Sequence, residues 1–179
     1  NGTLLEAKAR GADVRMVYSP LDALALARNE PDRHVCFLAI GFETTAPATA
    51  ITLRRARAEG IEGFSVFCNH ALIEPPLQAI LETPDLAVDA FIGPGHVSSV
   101  IGTDAYRFVA EEHGRPVVVT AFEPLDLLQA IAMILRQRAE GRCTVENQYT
   151  RVVRPEGNVR ALEAIAETMA AHRSVALDS

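Results

Sequence analysis

The sequence predicts an α/β fold in which an open, mostly parallel sheet carries helices on both faces. Short apolar runs alternate along the chain with longer amphipathic stretches rich in Ala and Leu. Near-continuous apolar runs are typical of strands that are buried on both faces of a parallel sheet. A helical stretch after each run favours right-handed βαβ units. The predicted strands are DVRMVYS, HVCFLAIGF, FSVFCN, DAFIGP and PVVVTAF.

The predicted helices divide the chain into a regular core and a different C-terminal part. They are LDALALARNE, PATAITLRRARAEG, PPLQAILET, LDLLQAIAMILRQRAEG and, near the end, VRALEAIAETMAAH. We predict a single α/β region over residues 1–179, with an alternating β/α core over 1–141. Residues 142–179 form an extended segment, a turn and the last helix. A chain of 179 residues is long enough for one compact domain.

Composition and charge exclude several classes of protein. The apolar runs all fall short of the roughly 18 residues that are needed to span a bilayer. The first residues also lack the layout of a secretory signal, so we expect an intracellular protein without membrane contact. The net charge is −6, and Arg54, Arg55 and Arg57 lie in a predicted helix near Glu59. This pattern favours a solvated helix face over a nucleic-acid site.

Three cysteines, Cys36, Cys68 and Cys143, are widely separated in the sequence. Their spacing matches neither a metal site nor a disulfide framework, so we predict no metal ligands in this chain. Cys36 lies inside an apolar run and is expected to be buried. Cys143 follows a predicted helix end and is expected to be a free surface thiol.

Candidate functional residues lie in loops after the predicted strands, where open parallel sheets bind their ligands. The first loop contains Gly41, Phe42, Glu43, Thr44 and Thr45. Two hydroxyls and a carboxylate beside free backbone N–H groups suit a polar ligand. The alternative is that both threonines cap the following helix and that Glu43 is solvated.

The second loop contains Pro94, Gly95, His96 and Ser98. Glycines around a proline allow the backbone to approach a ligand closely, and a histidine can act as acid, base or metal ligand near neutral pH. The glycine spacing matches neither a dinucleotide-binding nor a phosphate-binding loop. Ser98 is the better candidate for a helix cap.

The third loop, Phe122, Glu123 and Pro124, repeats the Phe-Glu order of the first loop. EPLD here also echoes SPLD at residues 19–22, but Glu is a poor N-cap where Ser19 is a good one. If the strands are neighbours, two carboxylates and His96 face one cleft. Such a group suits proton handling.

Five segments in this order resemble the HypD family of hydrogenase formation and maturation proteins. They are VYSPLDAL, AIGFETTAP, GPGHVSSVIG, FEPLDLLQAI and ENQYTRVVRPEGN. The resemblance implies that the family's GFETT motif falls on residues 41–45 and its PxHVS motif on residues 94–98. Its long third motif falls on Phe122, Glu123, Pro124, Asn147, Tyr149, Gly157 and Asn158. Among these, Glu43, Thr44, Thr45, His96 and Glu123 are the candidate catalytic residues.

The resemblance also implies a cytoplasmic location, partners and cofactors. Family members pair with a HypC-type chaperone and receive cyanide from a HypE-type donor while an Fe(CN)2CO unit is built for a [NiFe]-hydrogenase. Full-length members hold a [4Fe–4S] cluster. The family's cysteine-bearing segments are missing here, and Ala121 stands where the family usually has Gly. We therefore expect a central fragment that alone holds neither the cluster nor the iron unit.

Three functions follow from these observations. The chain is a scaffold for metallocentre assembly, a self-contained α/β hydrolase or lyase that uses His96 and a carboxylate, or a non-catalytic module that binds partners. The second lacks a recognisable nucleophile elbow or metal spacing. The arrangement of the strands decides whether the cleft exists.

Overall fold

The computed structural model describes residues 2–169, and it confirms the α/β class. The strands are β1 (Val35–Gly41), β2 (Phe64–His70), β3 (Phe91–Pro94), β4 (Val117–Thr120) and β5 (Val145–Asn147). The helices are α1 (Leu4–Ala9), α2 (Pro20–Asn29), α3 (Ala46–Ala58), α4 (Glu74–Leu81), α5 (Gly95–Ile101), α6 (Arg107–Glu111), α7 (Pro124–Ala139) and α8 (Val159–Thr168), and a 3-10 turn covers Asp104–Tyr106. The described strands pair in parallel.

These strands form two sheets instead of the single sheet that we expected. One sheet pairs β1 with β2, and the other has the order β3-β4-β5. The predicted strand over residues 13–19 is wrong. This run is unpaired, and Met16 and Tyr18 are 84% and 93% exposed. Apolar periodicity favours a strand, but a strand also needs a pairing partner, which the local sequence does not specify.

The β1–β2 sheet and the helices packed on it form the first layer. Helices cover one face of this sheet. Helices α2 and α3 pack on the β1–β2 sheet around a core that includes Leu24, Ala56 and Phe64. Leu38, Ile40 and Phe67 are exposed, and the first two alternate along β1 with the inward residues. Cys36 follows the same alternation, so the expectation that it is buried is wrong.

The β3-β4-β5 sheet and the elements packed on it form the second layer. Its central strand is β4, in which Val117, Val118 and Val119 are fully buried. Tyr106 and Val109 pack into the same core, and α7 lies against β4. A central strand that is buried on both faces matches the predicted continuous apolar run.

The last helix joins the two layers. It contacts α3 of the first layer and α5 of the second, and Arg54 pairs with Glu167 at 3.2 Å. The sequence predicted this helix as far as residue 172, whereas α8 ends at Thr168 and residues 170–172 lie outside the described part.

Within residues 2–169, no helix combines the length and the apolar character that crossing a membrane requires.

Candidate functional site

The carboxyl ends of the second sheet bring three aromatic rings of different loops together. The His96 ring meets the Phe122 ring edge-on, with 4.9 Å between centroids. The Tyr149 ring lies 6.5 Å from that of His96. Since β3, β4 and β5 run in parallel, the loops that follow them share one edge. We call this group, together with Glu123 and Arg151, the rim.

Glu123 occupies the first position before α7, but its side chain is directed to Arg151. The shortest distance between the carboxylate and the guanidinium is 3.4 Å. By contrast, Ser19 accepts the Asp22 N–H at 3.2 Å and caps α2 in the ordinary way. The two similar segments, SPLD and EPLD, therefore differ in what their first residue does. Ser19 caps a helix, whereas Glu123 pairs with Arg151 in the rim.

Arg151 is the cation of the rim, and sequence reasoning missed it. Its guanidinium carbon lies 4.4 Å from the Tyr149 ring centroid, a cation–π geometry. The same guanidinium donates two hydrogen bonds to the buried Asp126 carboxylate. Gln148 donates to Asp126 at 2.8 Å and accepts from the Thr120 hydroxyl at 2.8 Å.

Asp126 and Gln148 were also missed. The sequence placed Asp126 in the first turn of a helix, where the helix dipole already explains an acidic residue. Its burial was the sign of another role, but burial is not visible in the sequence. Hydrogen bonds from Arg151, and then from Gln148, hold the pKa of Asp126 well below its usual range.

This lowered pKa predicts a pH dependence of stability. The ionised Asp126 stabilises the folded state at every pH above the ordinary carboxyl pKa of about 3.9, and this contribution is lost as the pH falls further. We expect Asp126→Asn to lower the melting temperature of the full-length protein at pH 7. The gap to the unsubstituted protein should shrink in melting curves taken below about pH 4. An equal gap at every pH would contradict the role of the ion pair.

The second loop begins a helix instead of remaining irregular. Pro94 precedes α5, and its carbonyl oxygen accepts from the buried Ser98 hydroxyl at 2.8 Å. Ser98 therefore lies inside the helix and does not cap it. Gly95 packs so tightly that a Cβ atom there would lie 2.7 Å from the Tyr149 ring and closer still to the Thr120 carbonyl. This close approach positions His96, which is exposed.

The first loop lies at the end of the other sheet. Thr44 and Thr45 are exposed, and the Thr45 hydroxyl donates to the Phe42 carbonyl oxygen at 3.0 Å. Gly41 has φ +150°, and a Cβ atom there would overlap the Thr45 hydroxyl. Phe42 is half exposed. The loop thus keeps a threonine hydroxyl against its own backbone.

Glu43 is turned inward, unlike its counterpart Glu123. The residue is 5% exposed, and one carboxylate oxygen accepts the Ile73 N–H at 2.7 Å. Its second oxygen is buried and has no partner within residues 2–169. Burial raises the pKa of the Tyr106 hydroxyl, and the nearby charge of Glu43 raises it further. Because Ile73 and Tyr106 belong to the core of the second layer, Glu43 reaches from the first layer toward that core.

Asn147, Gly157 and Asn158 hold the segment between β5 and α8 in place, whereas Pro124 lies elsewhere. The Asn147 amide donates to the Val153 carbonyl at 2.9 Å. Asn158 caps α8 by accepting the Ala161 N–H at 3.1 Å. Gly157, with φ +70°, packs against Gly102. Pro124 is the first residue of α7.

Cys68 and Cys143 contact residues that do not belong to the rim. Cys68 lies 3.8 Å from His70 at the end of β2, while Cys143 donates to the Ala110 carbonyl and burial raises the pKa of its thiol. Across residues 2–169, no three His, Cys, Asp or Glu side chains form a group that is able to hold a metal ion.

Comparison with known proteins supplies the family. The family model described as "HypD: Hydrogenase formation hypA family" matches residues 1–176. The chain is 56% identical to the hydrogenase maturation factor HypD of Rhodobacter capsulatus over 92% of its own length and 44% of the relative's. It is 56% identical to the HypD of Escherichia coli K12, over 93% of the chain and 44% of the relative. It is 57% identical to the HypD of Rhizobium leguminosarum bv. viciae, over 93% of the chain and 45% of the relative. The chain thus spans less than half the length of these relatives, and it belongs to the HypD family.

Proposed function

We propose that this chain is the central part of a cytoplasmic hydrogenase maturation factor. In the full-length protein it serves as a scaffold on which the Fe(CN)2CO unit of a [NiFe]-hydrogenase is assembled with a HypC-type chaperone and a HypE-type cyanide donor. Membership of the HypD family and relatives named as hydrogenase maturation factors support the proposal. The contact of His96 with Phe122, beside Tyr149 and Arg151, is the observation that carries it.

The rim has the groups that such a substrate requires. His96 and Arg151 offer N–H donors, and a cyanide nitrogen on iron is a hydrogen-bond acceptor. Glu123 offers a carboxylate that is able to exchange a proton with a ligand. Because the aromatic rings and the Asp126 ion pair hold these groups in place, they need little rearrangement when the iron unit arrives.

The [4Fe–4S] cluster of full-length family members does not fit this part of the protein. Such a cluster takes four cysteine ligands, whereas the chain contains three cysteines. The iron unit is the substrate here, and residues outside the chain would hold it.

Replacing His96 by Phe tests the proposal. Phe keeps an aromatic ring against Phe122 but removes both nitrogens. We expect hydrogenase maturation in cells that carry only the full-length variant to fall by on the order of a hundredfold, the lower end of general acid–base effects. Large-subunit processing and the infrared bands of bound cyanide and carbon monoxide would measure the loss, while chaperone binding should persist.

His113→Phe is the matched control, because His113 makes a similar edge-on contact with Phe108 away from the rim. It should mature hydrogenase normally. Normal maturation by His96→Phe would favour the non-catalytic module instead. Turnover of a small molecule by the purified protein without its chaperone would favour the hydrolase or lyase.

A further inference from the structure

Helix α7 buries two polar side chains, whereas several of its large apolar side chains face solvent. Its buried residues are Asp126, Ala130 and Gln137. Gln137 is fully buried and accepts the Thr144 N–H at 2.9 Å. Together with the ion pair of Asp126 and Arg151, this bond attaches the inner side of the helix to its own layer through polar contacts.

The outer side carries a continuous apolar surface, which we call the α7 stripe. It consists of Leu125, Leu128, Ile131 and Leu135, which are 44–65% exposed. At about 100° per residue, these side chains lie on the side of the helix opposite the buried ones. Their spacing of three and four residues is the pattern with which one helix packs along another.

An apolar stripe of this kind needs a covering element. Soluble proteins rarely leave contiguous apolar surface of this kind open to water. Phe122, which is 66% exposed, extends the surface toward the rim. The inner side of α7 is already occupied, so a rearrangement of the helix would bury the stripe only by exposing Asp126 and Gln137.

The length of the relatives indicates where the cover comes from. More than half of each relative lies beyond the matched part, since the chain covers 44% of them. A second apolar surface, formed by Leu38, Ile40 and Phe67, is open on the other layer. In a protein as long as these relatives, the remaining polypeptide would be present at fixed stoichiometry with both surfaces.

We infer that a helix from the part of the full-length polypeptide outside these 179 residues packs along the α7 stripe. This helix carries its own apolar residues at three- and four-residue spacing. The inference concerns architecture and does not depend on the proposed function.

Cysteine labelling of the full-length protein tests the inference. Leu128→Cys and Leu135→Cys place a thiol in the stripe, and Arg136→Cys places one on the exposed flank of the same helix. We expect maleimide to react with the stripe positions at least tenfold more slowly than with position 136, as quantified by peptide mass spectrometry. In denaturant the three rates should become equal.

Three labelling results would overturn the inference. One is equal native rates at the three positions. Another is protection that disappears when a dimer is diluted to monomer, which would assign the stripe to a second copy. The third is protection that appears only after a HypC-type chaperone is added. If a cysteine variant fails to fold, hydroxyl-radical footprinting of the unsubstituted protein measures the exposure of Leu125, Leu128 and Leu135 directly, and strong oxidation there would equally overturn the inference.

Discussion

The full-length Gly157→Ala variant should unfold at a much lower temperature than the unsubstituted protein. Gly157 has φ +70°, and its Cα faces the backbone of Val100 and Gly102. An added Cβ atom would lie less than 3.0 Å from three backbone atoms there. The left-handed conformation costs Ala roughly 1–2 kcal/mol. Separation of the backbones would also weaken the bond from the Asn158 N–H to the Val100 carbonyl, so we expect a total of about 3 kcal/mol.

Gly60→Ala is the matched control for this prediction. Gly60 has φ +67°, and a Cβ atom there would meet nothing within 4 Å among the described residues. It therefore has the conformational cost of the Gly157 variant without the overlap, and its melting temperature should fall by about half as much. Equal melting temperatures for the two variants would show that the contact between Gly157 and Gly102 contributes nothing.

Gly95→Ala should abolish most hydrogenase maturation while the protein remains folded. The new Cβ atom would overlap the Thr120 carbonyl and lie 2.7 Å from the Tyr149 ring. The start of α5 must then move away from β4, and the Tyr149 ring must leave its place beneath Arg151. His96 moves with α5. We expect maturation to fall at least tenfold, since misplacing reacting groups by about 1 Å costs on the order of a hundredfold in rate.

Gly93→Ala, two positions earlier in β3, separates this effect from general crowding next to β4. A Cβ atom at Gly93 would meet mainly the side chains of Val117 and Val119. The packing of the core would change, whereas Tyr149 and His96 would stay in place. We expect a lower melting temperature with maturation retained, measured by large-subunit processing in the same cells. If Gly95→Ala matured hydrogenase as well as Gly93→Ala does, the placement of Tyr149 and His96 would not matter.

Much of the fold could be predicted because several elements have strong local patterns. The run around Val117–Val119 is apolar without interruption and becomes the buried central strand. Ser19 and Pro20 start α2 as capping chemistry requires. Residues 13–19 have an equally good strand pattern but no pairing partner. Strand pairing is a long-range property, so the division into two sheets was not visible either.

The sequence predicted those residues of the candidate site that lie just after strands. It did not predict which of their side chains are buried. His96, Phe122 and Tyr149 meet because their strands share one edge. Glu43 and Glu123 both follow a phenylalanine at the end of a strand, yet one is buried and the other exposed. Arg151 joins the rim through Asp126, which lies 25 positions away. No short motif encodes that pairing.

The position of α8 has a consequence for how this polypeptide acquires its shape. Residues 159–168 cover α3, which was synthesised long before them, and the turn preceding α8 is fastened to α5. Contacts between such distant segments form slowly because a long loop must close first. On the ribosome, the outer surface of residues 46–58 therefore stays open to water until α8 has emerged. A chain halted before that point would carry two sheets without the helix that holds them together, and it would be a ready substrate for proteases and for aggregation.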